Sequence, residues 1–153
     1  MKKTLKIEIP EGFKIDNFDI NSGVVKFTPI PKNIIERVKS IDDAINELGE
    51  DDEDVKALRV IENLSIPKHI ISQLQSIIIA KALNEGWIAD YTNIDQTKYE
   101  PRFYYDSSAG GFFYYDYGLW SSATSIGSRL CFHSSKLAKY FGTQFIDIHR
   151  KYL

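Results

Sequence analysis

Ten of the chain's twenty Phe, Tyr and Trp residues fall between Tyr99 and Trp120: Tyr99, Phe103, Tyr104, Tyr105, Phe112, Phe113, Tyr114, Tyr115, Tyr117 and Trp120. Aromatic runs favour strands. Successive side chains of a strand point to opposite faces of its sheet, so consecutive rings cannot all enter one core. Either the sheet is covered on both sides, or it presents an aromatic face to water, and large exposed apolar faces mark binding sites.

The flanking residues divide this region into two strands, Arg102–Asp106 and Phe112–Tyr117, joined by the flexible loop Ser107-Ser108-Ala109-Gly110-Gly111. Strict alternation puts Phe103 and Tyr105 on one face of the first strand, with Arg102, Tyr104 and Asp106 on the other. In the second strand Phe112, Tyr114 and Asp116 oppose Phe113, Tyr115 and Tyr117. A third strand is expected over Arg129–His133, which alternates after the Ser121–Ser128 loop.

The rest of the chain supplies short strands and amphipathic helices. Leu5–Ile9 alternates as a strand, Pro10-Glu11-Gly12 ends it, and Val24–Phe27 follows the Asn21-Ser22-Gly23 turn. Ile34, Val38, Ile41, Ala44/Ile45 and Leu48 step helically, with Ser40 placed to cap a second segment. The acidic run Glu50–Asp54 reads as a solvated loop before a short helix, 55–64. Pro67 suits the first position of an apolar helix that Gly86 ends, and this helix is expected to lie centrally. Ser134 or Ser135 caps a last helix striped by Leu137, Phe141, Phe145, Ile148 and Tyr152. Gly142 within it costs about 1 kcal/mol against alanine, which points to a close backbone contact. The fold class is therefore α+β, an antiparallel meander sheet with helices packed on one face, in a single domain over 1–153.

Bulk properties exclude several classes. At 153 residues the chain can bury a core. Its net charge of −2 gives no general drive toward nucleic acid or an anionic membrane. The opening Met1-Lys2-Lys3-Thr4 resembles the start of a signal peptide, but Lys6, Glu8 and Pro10 break the apolar run that should follow. Ile77–Ala80 is far too short to span a bilayer, so no membrane partner is expected. The single cysteine, Cys131, forms no internal disulfide and fits a reducing compartment.

Several blocks carry a resemblance. Residues 125–132 (Ser-Ile-Gly-Ser-Arg-Leu-Cys-Phe) and 134–145, with Asn84-Glu85-Gly86-Trp87, Lys98-Tyr99 and Ile9-Pro10-Glu11-Gly12-Phe13, resemble a family of small uncharacterised proteins from phages and mobile elements of Bacteroidetes bacteria. The similarity is densest over 84–150. Ala89-Asp90 departs from the Pro-Asp that the family pattern places after the tryptophan. The resemblance implies a bacterial origin and carries no catalytic residue; with the single cysteine and the broken apolar run, the cytoplasm of a bacterial host is the expected compartment.

Catalytic and metal readings find little support in the residue pattern. Cys131 and His133 share a strand face by parity, but side chains two apart stand about 6–7 Å from one another, too far for a hydrogen bond that activates a thiol. Asp106 and Asp116 each follow a tyrosine pair. They are expected to bind an arginine or end a strand rather than flank a glycosidic bond. His69, His133 and His149 lack metal-ligand spacing. No cofactor, metal or enzymatic activity is expected.

The expected role is recognition of a protein partner or a second copy by the aromatic sheet. Its named residues are Trp87, Arg102, Tyr104, Phe113, Tyr115, Tyr117, Trp120, Ser128 and Arg129. The alternative is a nucleotide- or single-stranded nucleic-acid-binding module that uses the same rings and the serine loop.

Overall fold

The computed structural model describes residues 6–30 and 33–153. Internal packing divides the chain into two compact units, Met1–Asn33 and Ile34–Leu153.

The first unit is an antiparallel hairpin of β1 (Phe13–Asp19) and β2 (Val24–Pro29). Asp19 builds the turn: its carboxylate accepts from the Asn21 N–H at 2.9 Å and the Ser22 hydroxyl at 2.6 Å, and Gly23 takes φ +70°. The expected first strand at 5–9 is not formed over the described residues 6–9, and Leu5 lies outside them. A tight turn pairs β2 with the segment immediately before it. That segment hid its strand character because a bulge between Ile15 and Asn17 breaks the alternation. Restoring the register places Phe13, Ile15, Phe18, Val25, Phe27 and Pro29 on one face.

The second unit begins with α1 (Ile34–Arg37), α2 (Ile41–Leu48), α3 (Glu53–Glu62) and α4 (Lys68–Leu83). Ser40 caps α2 by accepting from the Asp43 N–H at 3.1 Å, as expected. The acidic run does more than face water. Asp52 caps α3, which starts two residues earlier than expected, and Lys81 of α4 bridges Asp52 and Asp54 at 2.7 and 2.9 Å. Helix α4 is central, with Ile78, Ile79 and Leu83 fully buried and α2, α3 and the two C-terminal helices against it.

An antiparallel hairpin of β3 (Lys98–Asp106) and β4 (Gly111–Trp120) follows. The third strand of the meander shortens to a single 3₁₀ turn, Ser128–Leu130, and a one-residue bridge in which Phe132 and Tyr99 exchange backbone hydrogen bonds of 2.9 and 2.8 Å. Leu130, Cys131 and Phe132 are all buried, so the apparent alternation of this segment does not correspond to one wet and one dry face.

The chain closes with α5 (Ser135–Gln144), capped by Ser134, and α6 (Ile146–His149). The last apolar stripe is one helix in sequence but two in space, because Phe145 leaves helical geometry at φ −108°, ψ 23°. Helix α5 packs on one face of β3–β4. The close contact expected at Gly142 is there: a Cβ at this position would lie 3.0 Å from Tyr114 Cε2 and 3.1 Å from Pro101 Cβ, and closer still to Tyr114 Cδ2. The chain is thus α+β, with antiparallel pairing and helices packed against a sheet.

Candidate functional site

The register of β3–β4 decides which rings meet. Arg102 pairs with Asp116 but Phe103 pairs with Tyr114, so Tyr115 is the extra residue of a bulge. Past the bulge the faces exchange. Asp116 joins the face of Arg102 and Tyr104, and Tyr117 moves to the helix-packed face, where its ring meets Tyr99 at 5.7 Å. The alternation expected for β3 holds, whereas that for β4 fails beyond Tyr115. A bulge leaves no mark in a run of tyrosines, since every register offers a ring to either side.

The face turned away from α5 carries a continuous stripe. Tyr104 stands between Phe113 and Tyr115, with ring centroids 6.1 and 6.0 Å away. Tyr104, Tyr114 and Tyr115 line an open cleft of about 460 Å³. Beside them Arg102 holds Asp116 with two hydrogen bonds of 2.6 Å. The Trp120 indole then lies over Gly118, where a Cβ would be 3.3 Å from its Nε1 and 3.7 Å from Arg102 Cδ. Tyr115 is 68% exposed and Tyr104 45%. At the tip Tyr105 and Phe112 pack edge to face at 5.2 Å. Arg150, which follows α6, donates to the Phe112 carbonyl at 2.8 Å and sets its guanidinium 4.5 Å from the Phe113 ring.

At the other end of the hairpin this face is closed by polar chain. Lys98 and Glu100 are fully buried. Lys98 Nζ donates to the carbonyls of Ser121 at 2.6 Å and Asn93 at 3.0 Å, and lies 5.2 Å from the Tyr91 ring. The Glu100 carboxylate accepts from the Ser125 N–H at 3.0 Å, the Ser125 hydroxyl at 2.7 Å and the Thr124 hydroxyl. The serine-rich loop is thus folded over the chain's own Glu100 side chain.

Five of the nine expected residues, Arg102, Tyr104, Phe113, Tyr115 and Trp120, therefore share one face, and Tyr117 does not. Trp87 and Arg129, expected at the edge of the aromatic sheet, and Ser128 of the serine loop come together elsewhere. They line a separate cavity of about 350 Å³ with Asp54, Ile77, Lys81, Ile88 and Ala89. Lys81 is committed to Asp52 and Asp54, whereas Arg129 is 69% exposed and reaches Asp54 only at 3.9 Å.

The remaining candidates resolve into structural roles. Asp106 builds the hairpin turn by accepting from the Ser108 N–H and hydroxyl at 2.8 and 2.6 Å. Burial pushes the Cys131 thiol up, and it donates to the Ser128 carbonyl at 3.1 Å; burial also pushes Tyr91, whose hydroxyl reaches the same sulfur, up to about 12. His133 is exposed, edge to face with Trp87 at 6.0 Å, so it does not meet the buried thiol. His149, which sequence reasoning left unassigned, is fully buried. Its Nε2–H donates to the Phe141 carbonyl at 2.9 Å, and Nδ1 accepts from Tyr152 at 3.1 Å and Ser76 at 3.3 Å. Burial lowers its pKa to about 4. Its place on the stripe after Phe141 and Phe145 was the available signal. Among the described residues, no group of three His, Cys, Asp or Glu side chains converges as a metal site, and no helix is long and apolar enough to cross a membrane.

No family model, curated protein or solved structure matches the chain.

Proposed function

We propose that the protein is a non-enzymatic recognition module that binds another protein surface, a second copy included, through the stripe Trp120–Arg102–Tyr104–Phe113–Tyr115. The observation that carries this reading is the pair of exposed rings Tyr104 and Tyr115, with the half-buried Phe113 beside them, on the face opposite α5. Tyrosine presents a large rigid surface at low entropic cost, and aromatic and arginine side chains dominate interface energetics. The resemblance to proteins of phages and mobile elements makes an accessory role in a bacterial host the natural setting.

Electrostatics favour a protein over a nucleic acid on this face. A strand of phosphates needs cations free to meet it. Arg102 is already neutralised by Asp116, and Arg150 is tied to the Phe112 carbonyl and the Phe113 ring. A partner of apolar and hydrogen-bonding character fits better.

The test is a Tyr104→Ser/Tyr115→Ser variant. Both side chains are exposed, so the variant keeps its helical circular dichroism and melting temperature. Wild-type protein should associate in sedimentation velocity, with itself or with a protein from its host, and the variant should not. Equal behaviour of the two proteins across all concentrations and mixtures removes the proposal. Association that weakens steeply with salt and requires an oligonucleotide also removes it.

A further inference from the structure

The cavity that holds Trp87, Ser128 and Arg129 is distinct in chemistry from the tyrosine stripe. It is lined by Ile77 and Lys81 of α4, by Trp87–Ala89, and by Ser128 and Arg129. Three charged groups line it: Asp54, Lys81 and Arg129. With Asp52, which also holds Lys81, the two cations and two carboxylates at the site balance. Lys81 is closed off by two carboxylates, Asp52 at 2.7 Å and Asp54 at 2.9 Å. Arg129 has only the 3.9 Å approach to Asp54, so its planar fork of N–H donors is available to an incoming anion. Trp87 is half-buried and steadied at its edge by His133, which leaves a fixed aromatic surface beside the cation.

We propose that this cavity binds a nucleoside monophosphate, with the base laid against Trp87 and Ile77 and the phosphate taken by Arg129 and the Ser128 hydroxyl. Base–aromatic stacking tolerates any base, and arginine matches phosphate with two parallel hydrogen bonds. Asp54, between Arg129 and Lys81, is placed to accept from an amino group of the base. A volume of about 350 Å³ suits one nucleotide and not two. The phosphate would displace Asp54 from Arg129 while Lys81 keeps Asp54 paired.

The chain has two tryptophans, so Trp120→Phe leaves Trp87 as the sole fluorescent indole. Titration of this variant with AMP should quench Trp87 saturably, with half-saturation below about 1 mM. Adenosine and inorganic phosphate, each lacking half of the contacts, should bind at least about tenfold more weakly. Arg129→Ala should lose a similar factor without change in its thermal melt, since Arg129 makes only a long, exposed ion pair. AMP should also raise the melting temperature of the wild-type protein, which reads binding without altering Trp120. The proposal is overturned by the absence of both the quench and the melting shift. It is equally overturned by adenosine binding as tightly as AMP, or by Arg129→Ala binding AMP as the wild type does.

Discussion

His149 makes the second unit sensitive to mild acid. The neutral imidazole is enclosed by the Phe103, Phe141 and Tyr152 rings at 5.2, 4.4 and 5.9 Å. Its Nε2–H is used by the Phe141 carbonyl and its Nδ1 lone pair by two hydroxyl donors. A second proton would turn both hydroxyls from donors to acceptors and, above all, would place a charge in a dry site. Burial therefore holds the folded pKa at about 4, against about 6.5 in an unfolded chain. Between these values the unfolded state binds more protons, so stability is full above about pH 6.5 and falls as pH drops toward 4. A gap of about 2.5 pH units corresponds to roughly 3 kcal/mol. The assay is urea unfolding followed by circular dichroism at several pH values between 7.5 and 4, for wild type and His149→Phe. The variant removes the imidazole donor from the Phe141 carbonyl, which keeps only the Phe145 N–H at 3.3 Å, and takes Nδ1 from the Ser76 and Tyr152 hydroxyls, so at neutral pH it should be less stable by about 1–3 kcal/mol. That deficit should close or reverse by pH 4. Capping and paired acids such as Asp43, Glu50 and Asp106, whose hydrogen bonds hold their pKa values low, are common to both proteins and cancel in the comparison. Parallel profiles over the whole range would refute the reasoning.

Other perturbations give separate checks on the fold. Gly142→Ala gains about 1 kcal/mol of helix propensity but drives a methyl into Tyr114 and Pro101; overpacking costs about 1–3 kcal/mol, so calorimetry should show a lower melting temperature, and a higher one would contradict the packing of α5 on β3–β4. Ser40→Ala removes the α2 cap and should cost about 1 kcal/mol in denaturant unfolding. Glu100→Leu strands the Thr124 and Ser125 donors and should cost about 2 kcal/mol, with faster amide exchange at Ser125. Arg102→Ala breaks an exposed ion pair and should change stability by less than about 1 kcal/mol while weakening partner association.

The elements that were legible in the sequence are those whose signal is local. Ser40 and Ser134 are caps by residue type, α4 is central by its apolar content, and Gly142 is explained by the ring and proline it faces. What stayed hidden depends on pairing across the chain. The Tyr115 bulge, which moves Asp116 onto the Arg102 side and Tyr117 off it, is set by the register against β3. The bulge between Ile15 and Asn17 likewise disguised β1. Lys98 and Glu100 look like surface residues of an alternating strand until residues 121–125 fold over them. Trp87 and Arg129 are 42 positions apart in the chain, and only the packing of α4 against the 3₁₀ turn brings them to one cavity.

Tyrosine footprinting tests the recognition surface most directly. Purified dilute protein, treated with a tyrosine-nitrating reagent, should be modified first at Tyr104, Tyr105 and Tyr115, ahead of the half-buried Tyr140, whose hydroxyl is held by the Val38 carbonyl. The same treatment inside producing cells or at high protein concentration should protect Tyr104 and Tyr115, because another protein surface then covers them. Equal modification of both tyrosines in dilute solution, in concentrated solution and in cells would contradict the account.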